Sequence, residues 1–137
     1  MEGKMVSFGI RFLDHLAPAK TLVEWAALAE KKGFDYCWFP HDIFCKNSWA
    51  MTVAVAMATE KILIGSVGTN PYSTDPSEIA TYVATLDELS EGRAVLGLGL
   101  HTEKMVEWLG LKADDMITRT RESIEIIRRL LNFKTRG

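Results

Sequence analysis

The sequence predicts an α/β fold in which four β-α units build one parallel sheet. Four short apolar runs, each followed by a polar loop and a helix-like stretch, predict this architecture: Val6–Phe12, Phe34–Phe39, Ile62–Gly68 and Ala94–Gly99. Strands that alternate with helices are joined by right-handed crossovers and pair in parallel. The three histidines each follow the end of one run, at His15, His41 and His101. Because ligands bind at the carboxyl ends of parallel strands, we expect a site at that edge.

Length and composition are typical of a single domain spanning residues 1–137, with 47% hydrophobic and 25% charged residues. A net charge of −2 without a basic stripe argues against a nucleic-acid partner. No apolar stretch reaches the ~20 residues that a membrane span needs. Cys37 and Cys45 match no zinc or redox spacing, so we predict no metal site and a reducing, cytoplasmic setting.

The first unit begins with a strand over Met5–Phe12, rich in residues that suit a pleated sheet. A helix is expected from Pro18 to Lys32, and Gly33 stands where a left-handed cap would end it. One stripe of this helix is apolar, as expected for a face packed on a sheet: Leu22, Trp25, Ala26 and Ala29.

The second unit combines a strand at Phe34–Phe39 with a helix at Asn47–Glu60. Pro40 is expected to end the strand, because proline cannot continue a central ladder. The helix has almost no polar face, which predicts burial on more than one side. Periodicity alone leaves a strand open as the alternative for this stretch.

The third and fourth units follow the same plan. A strand at Ile62–Gly68 precedes a helix that has Asp75 as its N-cap and ends before Gly92. A strand at Ala94–Gly99 precedes a short helix at Glu103–Leu109. The last helix, residues 114–131, is amphipathic, with a predicted buried stripe of Ile117, Ile124, Ile127 and Leu131.

Four β-α units are half of an eight-stranded barrel, which usually takes ~250 residues. An isolated half would leave two strand edges and one sheet face uncovered. Either the sheet is open and doubly wound, or the chain completes a (β/α)8 TIM-type barrel, for which dimerisation is the simplest route. The sequence alone leaves both architectures open.

Three stretches carry a family resemblance: Gly33–Trp38, Val67–Tyr72 and Gly92–Gly99. In this order and spacing they resemble the luciferase-like flavin monooxygenase superfamily, and most of all its deazaflavin-dependent branch of methylenetetrahydromethanopterin reductases. The resemblance extends over nearly the whole chain but over only about the N-terminal half of a family member.

This resemblance implies that coenzyme F420 or FMN lies across the carboxyl rim and exchanges a hydride with a small-molecule substrate. It also implies a bulge with a cis peptide bond at Val67–Gly68 that supports the ring. The alternative is that Gly68 marks an ordinary bulge. Thr69 and Asn70 follow, and their hydroxyl and amide can bond the polar edge of a ring. Asn-Pro is also a common turn dipeptide, which explains the pair without any ligand.

The loop after the second strand carries His41 and Asp42, where the branch has an acidic residue and a histidine in the reverse order. A neutral histidine beside an aspartate can donate to a ring carbonyl or relay a proton, so both are the catalytic candidates. The alternative is an aspartate that caps a turn, with a solvated histidine beside it.

The loop after the fourth strand reads Gly99-Leu100-His101-Thr102, where the family often has Gly-Ala-Gly-Asp. The resemblance implies that Gly99 lets the backbone approach the phosphate-bearing tail of the cofactor and that His101 lies beside it. A surface histidine without a ligand is the alternative.

Arg11 departs from the reductase branch, which usually has a glutamate on this strand. Arginine stays protonated and cannot exchange a proton, but it can bind a phosphate or carboxylate. The alternative is an ion pair with Asp14 or another loop carboxylate.

Three functions follow from these observations. The first is a flavin- or deazaflavin-dependent oxidoreductase assembled as a homodimer of half-barrels. The second is a non-catalytic, truncated relative that binds flavin or assembles with another half-barrel, which Arg11 and the altered fourth loop favour. The third is a flavodoxin-like interaction module, although the first loop has no phosphate cradle.

Overall fold

The structure, a computed structural model, describes residues 6–133. Its strands are β1 (Gly9–Arg11), β2 (Tyr36–Pro40), β3 (Leu63–Thr69) and β4 (Ala94–Leu98). A 3-10 turn at Asp14–Leu16 precedes the helices, which are α1 (Ala19–Lys31), α2 (Ser48–Ala58), α3 (Pro76–Leu89), α4 (Glu103–Trp108) and α5 (Met116–Leu131). Each strand is followed by a helix, so the four predicted β-α units are confirmed.

The strands pair in parallel in the order β1-β2-β3-β4. A doubly wound sheet reverses its strand order at a switch point. Here every strand pairs with the next one along the chain, so the open doubly wound alternative and the flavodoxin-like module are wrong. Sequential order is the order of strands in half of a (β/α)8 barrel.

The first strand is shorter than predicted, and Met5 lies outside the described residues. Before β1, hydrogen bonds between Phe8 and the loop that precedes β2 replace the regular pairing of the two strands. The Asp35 and Tyr36 amides both donate to the Phe8 carbonyl, at 2.7 and 3.2 Å, and the Phe8 amide donates to Asp35 Oδ2 at 2.8 Å. A side chain therefore takes the place of a backbone partner, and regular pairing begins only at Gly9.

The second strand runs one residue further than predicted, because Pro40 pairs with Val67 at its end. Proline lacks an N–H, but the next amide supplies the ladder bond. His41 N donates to the Val67 carbonyl at 2.9 Å. The other strand boundaries differ from the predicted ones by one or two residues.

Side chains alternate between the two faces of the sheet. The outer face packs against α1, α2 and α3 through Ile10, Phe12, Cys37, Phe39 and Ile64. The opposite surface, called here the inner face, carries Gly9, Arg11, Tyr36, Trp38, Leu63, Gly65, Val67, Val95 and Gly97. Apart from Gly65, these residues are exposed or half-buried. The predicted uncovered face is therefore present among the described residues.

Trp38 occupies much of the inner face. Its ring stacks on Tyr36, with ring centroids 5.8 Å apart and planes 6° from parallel. Gly65 makes room for it, since a Cβ there would lie 2.8 Å from the Trp38 ring and 2.1 Å from the Val95 carbonyl oxygen. The glycine therefore lets Trp38 lie flat along the sheet.

Two predicted caps are confirmed. Gly33 follows α1 with φ +85°, the left-handed conformation that glycine adopts without strain. Asp75 accepts a hydrogen bond from the Ser77 amide at 2.8 Å at the start of α3. The helical interpretation of residues 47–60 is confirmed as well. α2 packs against α1, α3 and β3, so the predicted burial on more than one side is confirmed, although Ala54 and Met57 on its outward face are exposed.

The buried stripe of α5 differs from the predicted one. Ile117 is 71% exposed and Leu131 is 43% exposed. The residues that face inward are Met116, Thr120, Ser123 and Ile127, so Ile127 alone of the predicted stripe is confirmed as buried, and Ile124 is half-buried. Ile127 packs with Ile79 and Ala80 of α3. Small side chains at positions 120 and 123 suit a close approach of two helices.

A network at the amino edge of the sheet ties the units together. The Arg93 guanidinium donates to the carbonyls of Ala56, Thr59, Ile62 and Ser90 at 2.7–3.1 Å, and also to the Thr59 hydroxyl at 2.9 Å. Glu30 accepts from the amides of residues 60, 61 and 62 at 2.6–3.1 Å. Burial raises the pKa of Glu30, but these three amides and Arg93 lower it more, so the net pKa lies below its ordinary 4.5. The carboxylate therefore stays charged at neutral pH.

Candidate functional site

A cavity of about 250 Å3 opens at the carboxyl edge of the sheet. Parallel strands bring the loops that follow them to one edge, so residues far apart in the chain meet there. Five of the eight predicted cofactor-binding residues line it: His41, Asp42, Val67, Gly68 and His101. Arg11 lines it from β1. The predicted convergence of these loops is confirmed for this set of residues.

Thr69 and Asn70 do not line the cavity. Thr69 is fully buried, with its hydroxyl 2.6 Å from the hydroxyl of Ser66. Asn70 is also fully buried, and its Oδ1 accepts from the Tyr72 amide at 2.7 Å. These bonds are those of a local turn, which favours the turn interpretation of Asn-Pro. A bond from either side chain to a ring stays a prediction.

Gly99 lies behind the cavity wall. Its amide donates to the Thr69 carbonyl at 3.0 Å, and a Cβ at this position would lie 2.7 Å from Gly68 Cα. At Gly97 a Cβ would lie 3.2 Å from Val67 Cα. These glycines bring the ends of β3 and β4 close together and keep the inner face flat beside the cavity.

The peptide bond between Val67 and Gly68 is trans, as are all peptide bonds among the described residues. The expected cis bond is therefore wrong for this structure. The strand instead bulges between Ser66 and Thr69, where its pairing with β4 shifts register. Gly68 has φ +75°, which glycine adopts without strain and which produces the bulge by itself.

His41 is half-buried, and its Nδ1 has no hydrogen-bond partner among the described residues. Burial lowers the pKa of His41 below its ordinary 6.5, and the nearby His101 lowers it further. The ring is therefore neutral at pH 7. Asp42 accepts from the Phe44 amide at 3.3 Å, which is the turn-capping alternative considered for this aspartate. The His41 ring packs on Trp49 and is half-buried, so it is only partly exposed to solvent.

Acidification is expected to destabilise the fold through His41. A histidine whose pKa is lower in the folded than in the unfolded state stabilises the fold fully above about pH 6.5. That contribution is lost as the pH falls from 6.5 toward the folded-state pKa. Thermal unfolding between pH 8 and 5 should show this decline, and His41→Gln should flatten it. The exposed His15 provides the control, since His15→Gln should leave the decline unchanged. A wild-type slope in His41→Gln would contradict the assignment.

His101 is only 9% exposed, so the interpretation as a solvated surface histidine is wrong. Its Nε2 is buried and has no partner among the described residues. The start of the following helix is already capped, because the Thr102 hydroxyl accepts from the Met105 amide at 3.3 Å. The Met105 amide is therefore not available to an anion at this helix start.

An aromatic stack behind the cavity had no signal in the sequence. His41 contacts Trp49 with ring centroids 5.6 Å apart, and Trp49 stacks on Tyr82 at 4.6 Å. The Tyr82 hydroxyl lies 2.8 Å from the Thr52 hydroxyl. These residues come from α2 and α3, and only packing against the sheet brings them to His41. The stack fixes the orientation of the His41 ring.

A second cavity, of about 520 Å3, lies at the amino edge of the sheet beside Thr59, Glu60 and Arg93. It contains none of the predicted site residues, and the Arg93 guanidinium there is already bonded to backbone carbonyls. This cavity belongs to the structural network of the amino edge.

The remaining chemistry of the chain is modest. Cys37 and Cys45 form no disulfide with each other, and burial raises the pKa of Cys37 to about 12. Within residues 6–133, no three His, Cys, Asp or Glu side chains are grouped so that they could hold a metal ion. No helix in that range is both long and apolar enough to cross a membrane.

The family is decided by a sequence comparison. The luciferase-like monooxygenase family model matches residues 5–136. The chain belongs to this family. It is 36% identical over 129 residues to 5,10-methylenetetrahydromethanopterin reductase from Archaeoglobus fulgidus, a match that covers 94% of the chain and 39% of the relative. The corresponding enzyme from Methanolobus tindarius is 33% identical over 92% of the chain and 38% of that protein.

Solved structures agree with this family. The coenzyme F420-dependent tetrahydromethanopterin reductase from Methanopyrus kandleri superimposes with a TM-score of 0.82 and 29% identity, over 90% of the chain and 40% of that protein. The oxygenating constituent of 3,6-diketocamphane monooxygenase from Pseudomonas putida, solved with FMN, has a TM-score of 0.79 over 90% of the chain and 39% of that protein. At 19% identity it shows the fold alone.

The luciferase-like chain spans about two fifths of the length of the relatives that it matches. Its four β-α units correspond to the N-terminal half of the family's (β/α)8 barrel. The resemblance drawn from three short stretches is thereby confirmed, both for the family and for the part of the barrel.

Proposed function

We propose that this chain provides the cofactor-binding half of an oxidoreductase that transfers a hydride between coenzyme F420 or FMN and a small-molecule substrate. The observation that carries the proposal is the meeting of His41, Asp42, Val67, Gly68 and His101 at one cavity. Relatives that are F420-dependent by name support the deazaflavin, and an FMN complex of the same fold supports the flavin.

The residues present fit a planar ring. Gly97 and Gly99 leave the inner face without side chains beside the Val67–Gly68 bulge, so a ring can lie flat there. His41 Nδ1 is a buried polar atom without a partner, which a polar ring edge would satisfy. When bound, the cofactor accepts or donates the hydride.

The protein's own contribution is orientation and control of protons. Val67 and Gly68 would support one side of the ring. His41 is neutral at pH 7 and can donate one hydrogen bond while accepting another. Asp42, its neighbour in the chain, offers a carboxylate oxygen at the cavity wall. These two residues are our candidates for holding a proton near the reacting atoms.

The proposal is tested by titrating the purified chain with coenzyme F420 and with FMN at micromolar concentrations. Ring fluorescence and the melting temperature report binding independently. Binding of either cofactor with a raised melting temperature is expected. If neither cofactor shifts either signal, the proposed function is wrong.

We also propose that a second copy of the chain completes the barrel. An apolar groove of about 330 Å3 lies next to the β1 edge, lined by Ile10, Phe12, Trp25, Leu28 and Phe34 among others. At the other end of the sheet, α5 packs on α3 and exposes Ile126 and Leu130. In a two-fold dimer, β4 of each copy would pair with β1 of the other, and α5 would cover this groove.

Leu28→Lys is expected to convert the dimer to monomer, because a charge in an apolar contact is costly to bury. Sedimentation of the wild type at micromolar concentration should give the mass of two chains. The control is Met57→Lys on the outer side of α2, where the side chain is 70% exposed. This helix lies between α1 and α3, away from the edge strands β1 and β4. A wild type that stays monomeric would contradict barrel completion by a second copy.

A second candidate function is a non-catalytic relative that binds the ring without turnover. Arg11 favours it, since a permanently charged guanidinium stands in the cavity and cannot exchange a proton. Steady-state oxidation of reduced cofactor separates the two candidates. A clear rate with a pterin, aldehyde or alcohol substrate would exclude the non-catalytic one.

A further inference from the structure

Arg11 projects from the inner face into the cavity. Its neighbours Ile10 and Phe12 pack in the core on the outer side of the sheet, so the alternation of side chains directs Arg11 to the opposite side. Arg11 is exposed and lines the cavity together with His41 and His101. A long cationic side chain therefore borders the same cavity as the two imidazoles.

No carboxylate among the described side chains forms an ion pair with Arg11. The alternative partner considered above, Asp14, has a side chain that lies outside the described set. Asp42 is the one carboxylate that lines the cavity, and its Oδ1 already accepts from the Phe44 amide. Within the described residues the guanidinium is available to a ligand.

The wall beside Arg11 holds further polar atoms without partners. His101 is nine-tenths buried, and its Nε2 has no hydrogen-bond partner among the described residues. His41 Nδ1 is in the same situation. Buried polar atoms are nearly always bonded in a protein's working state, so these two nitrogens, beneath the surface of residues that line the cavity, indicate that a polar partner reaches them.

Arg11 is the feature of the cavity that favours an anion. It contributes one fixed positive charge, which the one negative charge of Asp42 balances, and each imidazole can donate a hydrogen bond from a ring N–H. A guanidinium binds carboxylate and phosphate through two parallel hydrogen bonds, a geometry that neutral ligands do not match.

We propose that Arg11, with His101 and His41 beside it, binds a carboxylate or phosphate group in this cavity. The inference rests on the proposed function for the identity of the molecule that carries the anion. That anion belongs either to the substrate or to the phosphate-bearing tail of the cofactor. Both sources share the same chemistry, and the experiments below distinguish them.

The first experiment measures anion binding without any cofactor. Inorganic phosphate and acetate are titrated into the full chain, with chemical shifts of the histidine rings and Arg11 side chain as readout. Arg11→Met is expected to weaken binding about tenfold or more, as loss of a charge-assisted bond does. Arg11→Lys should recover part of the affinity, and the exposed Arg121→Met provides a control with the same change of net charge.

The first experiment overturns the proposal in either of two ways. The wild type may fail to bind both probes, or Arg11→Met may bind them as tightly as Arg121→Met does. Arg11 is exposed and contributes nothing to the core, so Arg11→Met should melt at the wild-type temperature. The comparison therefore reports binding and not folding.

The second experiment assigns the source of the anion by comparing FMN with riboflavin, which has the same ring and no phosphate. If the cofactor tail carries the anion, Arg11→Met weakens FMN binding at least tenfold and leaves riboflavin binding unchanged. If the substrate carries the anion, Arg11→Met leaves the binding of both FMN and riboflavin unchanged. The variant then weakens the binding of acetate or phosphate to the FMN-loaded chain. Equal weakening of FMN and riboflavin would overturn the proposal, because Arg11 would then act on the ring.

The two proposals can fail separately. Arg11-dependent phosphate binding without binding of FMN, riboflavin or coenzyme F420 would leave the anion site standing and overturn the proposed function. Ring binding without any dependence of anion binding on Arg11 would do the reverse.

Discussion

Arg93→Met is expected to lower the free energy of unfolding by about 1.5–3 kcal/mol, the range for hydrogen bonds from a charged group, because the Arg93 side chain is half-buried and its partners are neutral. Four backbone carbonyls from α2, the start of β3 and the end of α3 accept hydrogen bonds from this one guanidinium. Methionine preserves most of the side-chain volume but donates none of these bonds. Each carbonyl that loses its donor away from water costs free energy, and the total is a large share of the ~5–15 kcal/mol that stabilises a typical domain.

Urea unfolding followed by circular dichroism measures this loss. Arg128→Met serves as the control, because Arg128 is exposed on α5 and carries the same charge. It should change the free energy of unfolding by less than about 0.5 kcal/mol, as surface substitutions usually do. If the two variants unfold at the same urea concentration, the network at the amino edge does not stabilise the fold as described.

Val67→Trp is expected to weaken binding of coenzyme F420 or FMN by about 10- to 100-fold, the equivalent of the ~1–3 kcal/mol that overpacking a filled site costs. Val67 lies on the inner face at the wall of the cavity, next to the bulge at Gly68. An indole there would occupy the flat area that Gly97 and Gly99 keep free. The side chain points away from the outer core, so the helices should pack as before.

The matched control is Val95→Trp. Val95 also lies on the inner face, but it pairs with Gly65 nearer the amino edge and does not line the cavity. Both variants add the same bulk to the inner face, and both should affect barrel completion similarly. The fluorescence of the cofactor ring, measured at a fixed chain concentration, compares cofactor binding by the two variants. Tight ring binding by Val67→Trp, or equal weakening in both variants, would show that the ring does not lie beside Val67.

The site could be predicted where it depends on topology. In a parallel sheet, the loops after successive strands must meet at one edge, so His41, Asp42 and His101 converge although up to 60 residues separate them. Gly33 and Asp75 were predictable for a different reason. Helix caps are local, and the residue types that adopt these conformations are few.

The site could not be predicted where a small change in the backbone reverses a side chain. The bulge at Gly68 shifts register between Ser66 and Thr69, so Thr69 is buried on the outer side while Val67 lines the cavity. An uninterrupted strand would have left residues 67 and 69 on the same side. Side chains of this strand therefore alternate between the two faces of the sheet up to the bulge but not beyond it. The peptide bond there is trans, so the resemblance to the family did not extend to that detail.

Burial inside helices also escaped prediction when two stripes were nearly equivalent. In α5, hydrophobicity favoured a stripe of Ile117, Ile124, Ile127 and Leu131. Ile127 does pack against α3, but Ile117 and Leu131 are exposed and Ser123 faces inward instead. A helix can rotate by one residue to let small side chains meet its neighbour, and that choice depends on the shape of the other helix.

The sequence by itself determined the alternation of strands and helices, the caps at Gly33 and Asp75, and the edge at which the candidate residues meet. These features depend on local conformation and on the direction of the chain. Tertiary structure alone decided the Arg93 network, the stack of Trp49 on Tyr82, and the meeting of Arg11 with His41 and His101 at one cavity. The physical reason is that these interactions join backbone carbonyls or ring faces from different units, and no spacing along the chain encodes their distance.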